Sequence, residues 1–425
     1  MDVPAYQHSV MPNGLRVGTA TLPGRNSASI GLWIGSGSRH EPAAVAGVAH
    51  LVEHMVFKGT ARRSSRRISL DIEGVGGELN AFTSEDHTCY HAVVPAARLG
   101  GAADVLADIF SHARFSARDC AREKEVILEE IQMYRENPGQ HVEDMLSAAV
   151  WPAHPLGRLI TGTARSLSHL GPDDLHAWTR RAHVAANTVV AVASPYSHAE
   201  VLAMLTPLFG NLPRGNPPRS RPFKSAARAP LVLADTRETE QTHVALGFRT
   251  PGRRHRHRFA LRLLSVALGE TMGSRLFHSL REKRGLCYAV HSETDVFEET
   301  GVFEIYTAVE NGKLEAALRA LAGELSRAVA QAPSGKELAM AKEFTLGQQS
   351  LWFESTVNQM NWVGESLLWH GAVFPEAKAR KKLLAVTGAD MAAVAAAVFH
   401  PRRAALAIIG PHARSAPARD WLGWT

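Results

Sequence analysis

The chain has 425 residues, 45% of them hydrophobic and 21% charged, with a formal net charge of +6. That length permits two or more domains with large cores, and the composition is that of an ordinary globular protein. No apolar run approaches the roughly 20 residues that span a bilayer, which argues against a helical membrane protein, and so modest a charge argues against nucleic acid as a partner.

Met1 to Val10 shows no basic stretch and no apolar core, so no secretory signal is expected. The three cysteines, Cys89, Cys120 and Cys287, lie far apart and form no metal-spacing pair. They read as reduced thiols, which makes a cytoplasmic location the expectation. The basic run Arg253 to Arg258 has no aromatic or Gly-rich companion and reads as a solvated loop.

Residues 28–34 read as a strand, broken by Gly35 and Gly37. The apolar stretch that follows reads as a helix, and inside it stands His50-Leu51-Val52-Glu53-His54. Residues four apart share a helix face, so the two imidazoles can meet one zinc ion. Glu53 borders that face. A carboxylate there can take a proton from a water acidified by the metal. The order reverses the commoner His-Glu-x-x-His arrangement. In a chain with 21 histidines a chance pair is the bland alternative, and the enclosed glutamate argues against it.

Next, Arg62 to Arg67 reads as a basic surface stretch and Ser69 to Glu73 as a short helical turn. Gly74, Gly76 and Gly77 release the chain into strands expected at 78–84 and 88–94. His87 and His91 are rival ligands by type, but four residues along a strand separate them by ~13 Å, too far to share an ion. They read as structural.

A helix is expected over 96–114, and another from Arg118 to about Glu136, with Ser116 as its N-cap and a stop at Asn137-Pro138-Gly139. This second helix offers Glu129 and Glu130 as a third ligand. At ~100° per residue, Val126, Ile127, Ile131 and Tyr134 define an apolar face containing Glu130 and Glu123. Glu129 and Glu125 turn toward solvent. A carboxylate turned into a core needs a partner, and a metal ion is a good one. Glu130 is therefore the expected ligand, with Glu123 one layer away, orienting a ligand. Taken without the histidines, both glutamates would read as the rim of an amphipathic helix.

A helix near 172–183, a strand at 188–193 and a helix at 198–209 complete the first half. Gly210 to Lys224 then holds Pro213, Gly215, Pro217, Pro218 and Pro222, the composition of a stiff, exposed linker. The expected division is a zinc-binding domain at 1–211, a linker at 212–225 and a second domain at 226–425. The strand at Ala28 recurs at His243, and the strand at Val189 recurs at Ala404 with the same offset, which indicates an internal duplication. The offset sends His50, Glu53 and His54 to Ser265, Leu268 and Gly269, so the second domain keeps the helix at 259–268 and loses the ligands. The expected fold class is α+β: two similar domains, each a mainly antiparallel sheet packed with helices. Further on, Gly273 to Tyr288 reads as a helix capped at Gly285 and leading into a strand. From the residues alone, Arg281 and Tyr288 are structural.

The segments HLVEHMVFKGT from His50, GGELNAFTSEDHTCY from Gly76 and EKEVILEEI from Glu123 resemble the pitrilysin family of zinc peptidases. The nearest in appearance are bacterial homodimeric relatives of the mitochondrial processing peptidase β subunit. The resemblance implies one zinc per subunit on His50, His54 and Glu130, with Glu53 as base and Glu123 as the accompanying acid. It implies that Asn80 and Ala81 lie on an edge strand that takes up peptide substrates by backbone pairing. It also gives Arg281 and Tyr288 a role, reaching the site from the far half of a clamshell chamber, with Tyr288 at the oxyanion. Each two-domain chain would form half of that chamber. A homodimer follows, in which Arg281 and Tyr288 of one subunit complete the site of the other. The expected function is zinc-dependent endopeptidase action on unfolded peptides in a bacterial cytoplasm. The alternative is a non-catalytic structural or assembly subunit of the same fold.

Overall fold

The computed structural model describes residues 4–224 and 230–423. Residues 1–3 of the expected first domain, residue 225 of the expected linker, and 226–229 and 424–425 of the expected second domain lie outside the described residues.

The chain forms two compact units, and neither is contiguous in sequence. The first comprises Met1–Ile131, Arg158–Arg221 and Ser350–Pro375, and the second Gln132–Gly157, Pro222–Gln349 and Glu376–Thr425. A single division at 212–225 therefore misses two exchanged segments.

The first unit holds strands β1 (Ala5–Val10), β2 (Arg16–Thr21), β3 (Ser27–Ile34), β4 (Glu78–Thr83), β5 (Thr88–Pro95) and β6 (Thr188–Ser194). Their order across the sheet is β1-β2-β6-β3-β5-β4. The β2–β6 pair is parallel and the others are antiparallel. The second unit holds β7 (Leu231–Thr236), β8 (Gln241–Pro251), β9 (Cys287–Val296), β10 (Thr300–Glu310) and β11 (Ala404–Gly410), in the order β7-β11-β8-β10-β9. Here β7–β11 is the parallel pair and the rest are antiparallel. Strand for strand, β2-β6-β3-β5-β4 and β7-β11-β8-β10-β9 match in order and direction, so the duplication signalled by two strands extends to five. Central β6 and β11 are buried along their whole length. Their runs of Val, Ala, Leu and Ile fit strands covered on both faces.

One face of the first sheet carries the motif helix Val48–Val56, with Leu51, Val52, Met55 and Val56 fully buried. Gly47 precedes it at φ 93, and a Cβ there would stand 2.6 Å from the Thr161 carbonyl oxygen. The Glu41 carboxylate accepts the Gly47 and Ala49 N–H groups, each at 2.8 Å, which anchors the start of the helix. The opposite face is covered by the exchanged helix Thr356–His370, whose Met360, Val363 and Leu367 pack on Trp33, Val189 and Ala191. A Cβ on Gly31 would lie 2.4 Å from Met360 Sδ, so glycine is needed for this close approach. In the second unit the helix Pro138–Val150 plays the same part, with Val142 and Leu146 against Ala245, Ala405 and Ala407.

The helix expected at Ser69 is longer, Ser65–Glu73, with the Arg67 N–H donating to Ser64 Oγ at 3.2 Å. Nor is Arg62 to Arg67 all surface. The Arg63 side chain is 11% exposed and pairs with Asp71, Asp104 and Asp108, tying this helix to Leu99–His112. Charge pattern alone does not reveal such a hub, because its acids come from distant turns. No helix among the described residues is long and apolar enough to cross a membrane.

Candidate metal centre

The motif helix and the helix Ala117–Glu136 bring His50, His54 and Glu130 together, with one donor atom from each lying within 4.8 Å of the others. Glu130 Oε2 stands 3.8 Å from His50 Nε2 and 3.9 Å from His54 Nε2. A tetrahedral zinc ion with bonds of about 2.1 Å separates its donors by about 3.4 Å, so both carboxylate–imidazole distances lie within about 0.5 Å of that spacing. The imidazoles meet edge to face with centroids 4.7 Å apart, directing two nitrogens at the shared carboxylate.

The helix Ala117–Glu136 buries a narrow stripe of Cys120, Glu123 and Ile127, continued by half-buried Glu130, Ile131 and Tyr134. Glu125 and Glu129 are exposed. Val126, expected on the inner face, is instead 44% exposed. The face is set by Ile127 and by the two glutamates that need partners. Ser116 caps the helix as its sequence suggests, accepting the Asp119 N–H at 3.1 Å.

Glu123 is buried, and its Oε2 lies 3.3 Å from His54 Nδ1. Its other oxygen takes Lys58 Nζ at 2.6 Å. A carboxylate on Nδ1 leaves His54 Nε2 free to face a metal. Lys58 was not singled out from sequence, although it follows His54 by one helical turn, the spacing that could have found it.

Burial, and then the neighbouring His54, push the His50 pKa down to about 4. The ring is therefore neutral near pH 7, the form that carries a metal-binding lone pair. Burial likewise raises Glu53 above the ordinary carboxylate range, while a hydrogen bond from Thr83 and the charge of His54 draw it back. Glu53 Oε2 and His50 Nδ1 are buried with no hydrogen-bond partner among the described residues. An unpaired carboxylate oxygen beside three converging donors fits an ion and its water. Thr83 closes β4, the strand of Asn80 and Ala81, and no local pattern ties a strand residue to a carboxylate on the motif helix.

Asn80 and Ala81 lie on β4, an edge strand of the first sheet that among the described residues is bonded only to β5. The Ala81 N–H is held by Asn80 Oδ1 at 2.8 Å, not by a neighbouring strand. His87 stacks on Trp33 and His91 tilts against Phe82, apart from the metal cluster. Arg281 and Tyr288 belong to the second unit. There the Arg281 guanidinium lies 5.0 Å from the Tyr288 ring centre and 4.7 Å from that of Phe277. Tyr288 is 73% exposed.

A donor set of this kind in a duplicated α+β chain is the architecture of a zinc protease. Comparison narrows the class. The family model described as Insulinase (Peptidase family M16) matches residues 16–164, and that described as Peptidase M16 inactive domain matches residues 169–344. An uncharacterized zinc protease of Mycobacterium leprae is 38% identical, across 95% of this chain and 92% of its own. One of Streptomyces coelicolor is 36% identical, across 95% and 89%. The uncharacterized zinc protease YmxG of Bacillus subtilis is 34% identical, across 84% and 87%. The chain belongs to peptidase family M16. The fold is shared with a Helicobacter pylori protease at TM-score 0.89 and 21% identity, covering 96% of this chain and 100% of that one. It is also shared with a Pseudomonas fluorescens protein described as a peptidase M16 inactive domain, at TM-score 0.87 and 22% identity, covering 96% and 98%.

Proposed function

We propose that this chain is a zinc-dependent endopeptidase acting on extended peptides. The observation that carries the reading is the convergence of His50, His54 and Glu130 beside the unpaired Oε2 of Glu53. Zinc held by those three donors would acidify a water and polarise a peptide carbonyl. Glu53 takes the proton at Oε2 and returns it to the leaving amine. Its raised pKa supports this use, because a base that must also act as an acid works best when poised nearer neutrality. Glu123 fixes the ring of His54, and Lys58 holds Glu123 in place. Extended peptide joins the open edge of β4 at Asn80 and Ala81, where the Ala81 N–H exchanges its bond to the Asn80 side chain for one to substrate.

Two copies of the chain act together in this reading, with Arg281 and Tyr288 of each completing the centre of the other. The exposure of the Tyr288 ring and the stacking of Arg281 upon it support the assignment. The Tyr288 hydroxyl donates to the oxyanion, and Arg281 holds the ring at its face. The work is assigned to the cytoplasm of a bacterium.

The test is digestion of an unfolded peptide with and without a chelator, with products identified by mass. Cleavage that stops with chelation, returns with zinc and falls at least ~10²-fold in Glu53→Gln supports the reading. Cleavage that persists after zinc is removed ends it. For the dimer, mixing Glu53→Gln with Tyr288→Phe restores part of the activity through one intact centre per mixed pair. No recovery after confirmed subunit exchange removes that part alone.

A further inference from the structure

We propose that Glu143, His291 and Glu293 form a second divalent-cation site, built wholly within the second unit and from none of the residues around His50. One donor atom from each lies within 4.8 Å of the other two. The register of β9 on β10 places His291 opposite Tyr306, Glu293 opposite Glu304 and Asp295 opposite Val302. Strand alternation then sets His291, Glu293 and Asp295 on one face together with Glu304 and Tyr306. The helix Pro138–Val150 covers that face of the sheet and brings Glu143 to it.

Without a cation this arrangement is costly. Glu143 and His291 are half-buried and Glu293 is exposed, while Glu304 opposite it is buried; like charges directly opposite on neighbouring strands repel, and a buried carboxylate such as Glu304 needs a partner. The charged neighbours acting on Glu143, Glu293 and Glu304 are all further carboxylates. Burial, reinforced by those neighbours, pushes Glu143 up to about 7 and raises Glu293 and Glu304 as well. Glu304 is the independent sign of a missing ligand. It is 7% exposed, and its Oε1 is buried with no hydrogen-bond partner among the described residues.

The imidazole is suited to the part. Burial lowers the His291 pKa, so the ring is neutral near pH 7. It packs on Tyr306 with ring centres 5.1 Å apart, and the Tyr306 hydroxyl is tied to His243 Nδ1 at 2.8 Å. The ring is therefore held in place before any ion arrives. One imidazole with two carboxylates suits Zn2+ or Mn2+, whereas Mg2+ and Ca2+ favour sets made only of oxygen. Glu304 stands opposite Glu293 in the register, on the same face as the ligands.

The test counts metal on full-length protein and does not read activity, so it stands or falls apart from the peptidase reading. Chelator-stripped protein is loaded with Zn2+ or with Mn2+, freed of excess by gel filtration and analysed for bound metal. The double variant His50→Ala/His54→Ala removes the first centre and should keep one equivalent. Adding Glu143→Gln and Glu293→Gln should abolish that equivalent, with a fall in affinity of at least tenfold. Because these changes remove repelling charges, the metal-free variant should melt no lower than its parent. If the fourfold variant fails to fold, His291→Asn in the same double background reports instead and should likewise lose the equivalent. No metal on the double variant overturns the site, as does equal metal on the folded fourfold or His291→Asn variant.

Discussion

Glu123 joins His54 on one side and Lys58 on the other, and touches the metal cluster only through the imidazole. Replacing it by glutamine removes the charge that fixes the ring but leaves all three donors. Zinc affinity in Glu123→Gln should fall about 10–100-fold, as removal of an orienting carboxylate commonly does. Competition with a chelating dye measures it, and unchanged affinity would reduce Glu123 to a packing residue. A different histidine governs stability. His183 is buried between Phe110, on which it stacks, and Tyr90, with Nδ1 at 3.1 Å from the Phe110 carbonyl oxygen. Burial pushes its pKa down to about 4, against about 6.5 in an unfolded chain. Between those values the unfolded state binds the extra proton, so stability present above pH 6.5 is lost as the pH falls toward 4. The loss is on the order of 3 kcal/mol. Melting followed from pH 7 to 4 should steepen in the parent and be flatter in His183→Asn, and equal slopes would contradict the assignment. The difference in legibility between the two residues is physical. Glu123 shows in the sequence because helical angle places it with Glu130. The burial of His183 depends on Phe110 and Tyr90 from two other elements, which no local pattern encodes.

At the scale of elements, the sheet edge is where sequence and chemistry meet. β4 has β5 on one side only, and the Ala81 N–H points away from that partner into a bond with Asn80. Proline is tolerated at an edge position whose N–H lies outside the ladder. Ala81→Pro should therefore fold and keep its zinc, yet lack the donor that extended peptide would use. KM should rise several-fold with kcat changed little, read in the same peptide assay; an unchanged KM would move substrate binding elsewhere. Regular elements of this kind were legible because period and turn residues are local. The motif helix, β5 and the long glutamate helix stand where hydrophobic spacing puts them. The helix at Ser65 starts four residues before its sequence signal at Ser69, because its first turn is Ser65-Arg66-Arg67 and its buried positions begin only at Ile68. What covers each sheet was not legible. The pattern of Pro138–Val150 marks an apolar face, but amphipathicity does not name the surface that face meets.

For the molecule as a whole, the duplication was written in two strands, while the exchange of helices was not written locally anywhere. That exchange makes a prediction about how far the halves are independent. The helix Thr356–His370 lies more than a hundred residues beyond the linker, yet its Met360, Val363 and Leu367 are fully buried on the first sheet, and Trp33 Nε1 donates to Met360 Sδ at 3.3 Å. A fragment 1–224 would expose Trp33, Val189 and Ala191 together with the glycine surface at Gly31. Each large apolar side chain withdrawn from the interface forfeits about 1.5–3 kcal/mol. Three of them, with Trp33 laid bare, amount to much of the 5–15 kcal/mol that typically separates a folded domain from its unfolded chain. The fragment should accordingly show no cooperative thermal transition and should bind 1-anilinonaphthalene-8-sulfonate. Co-expression with 226–425 should restore a soluble, melting complex, because the missing helix returns in trans. A fragment 1–224 that melts cooperatively near the temperature of the whole chain would show that the first sheet does not depend on its distant cover.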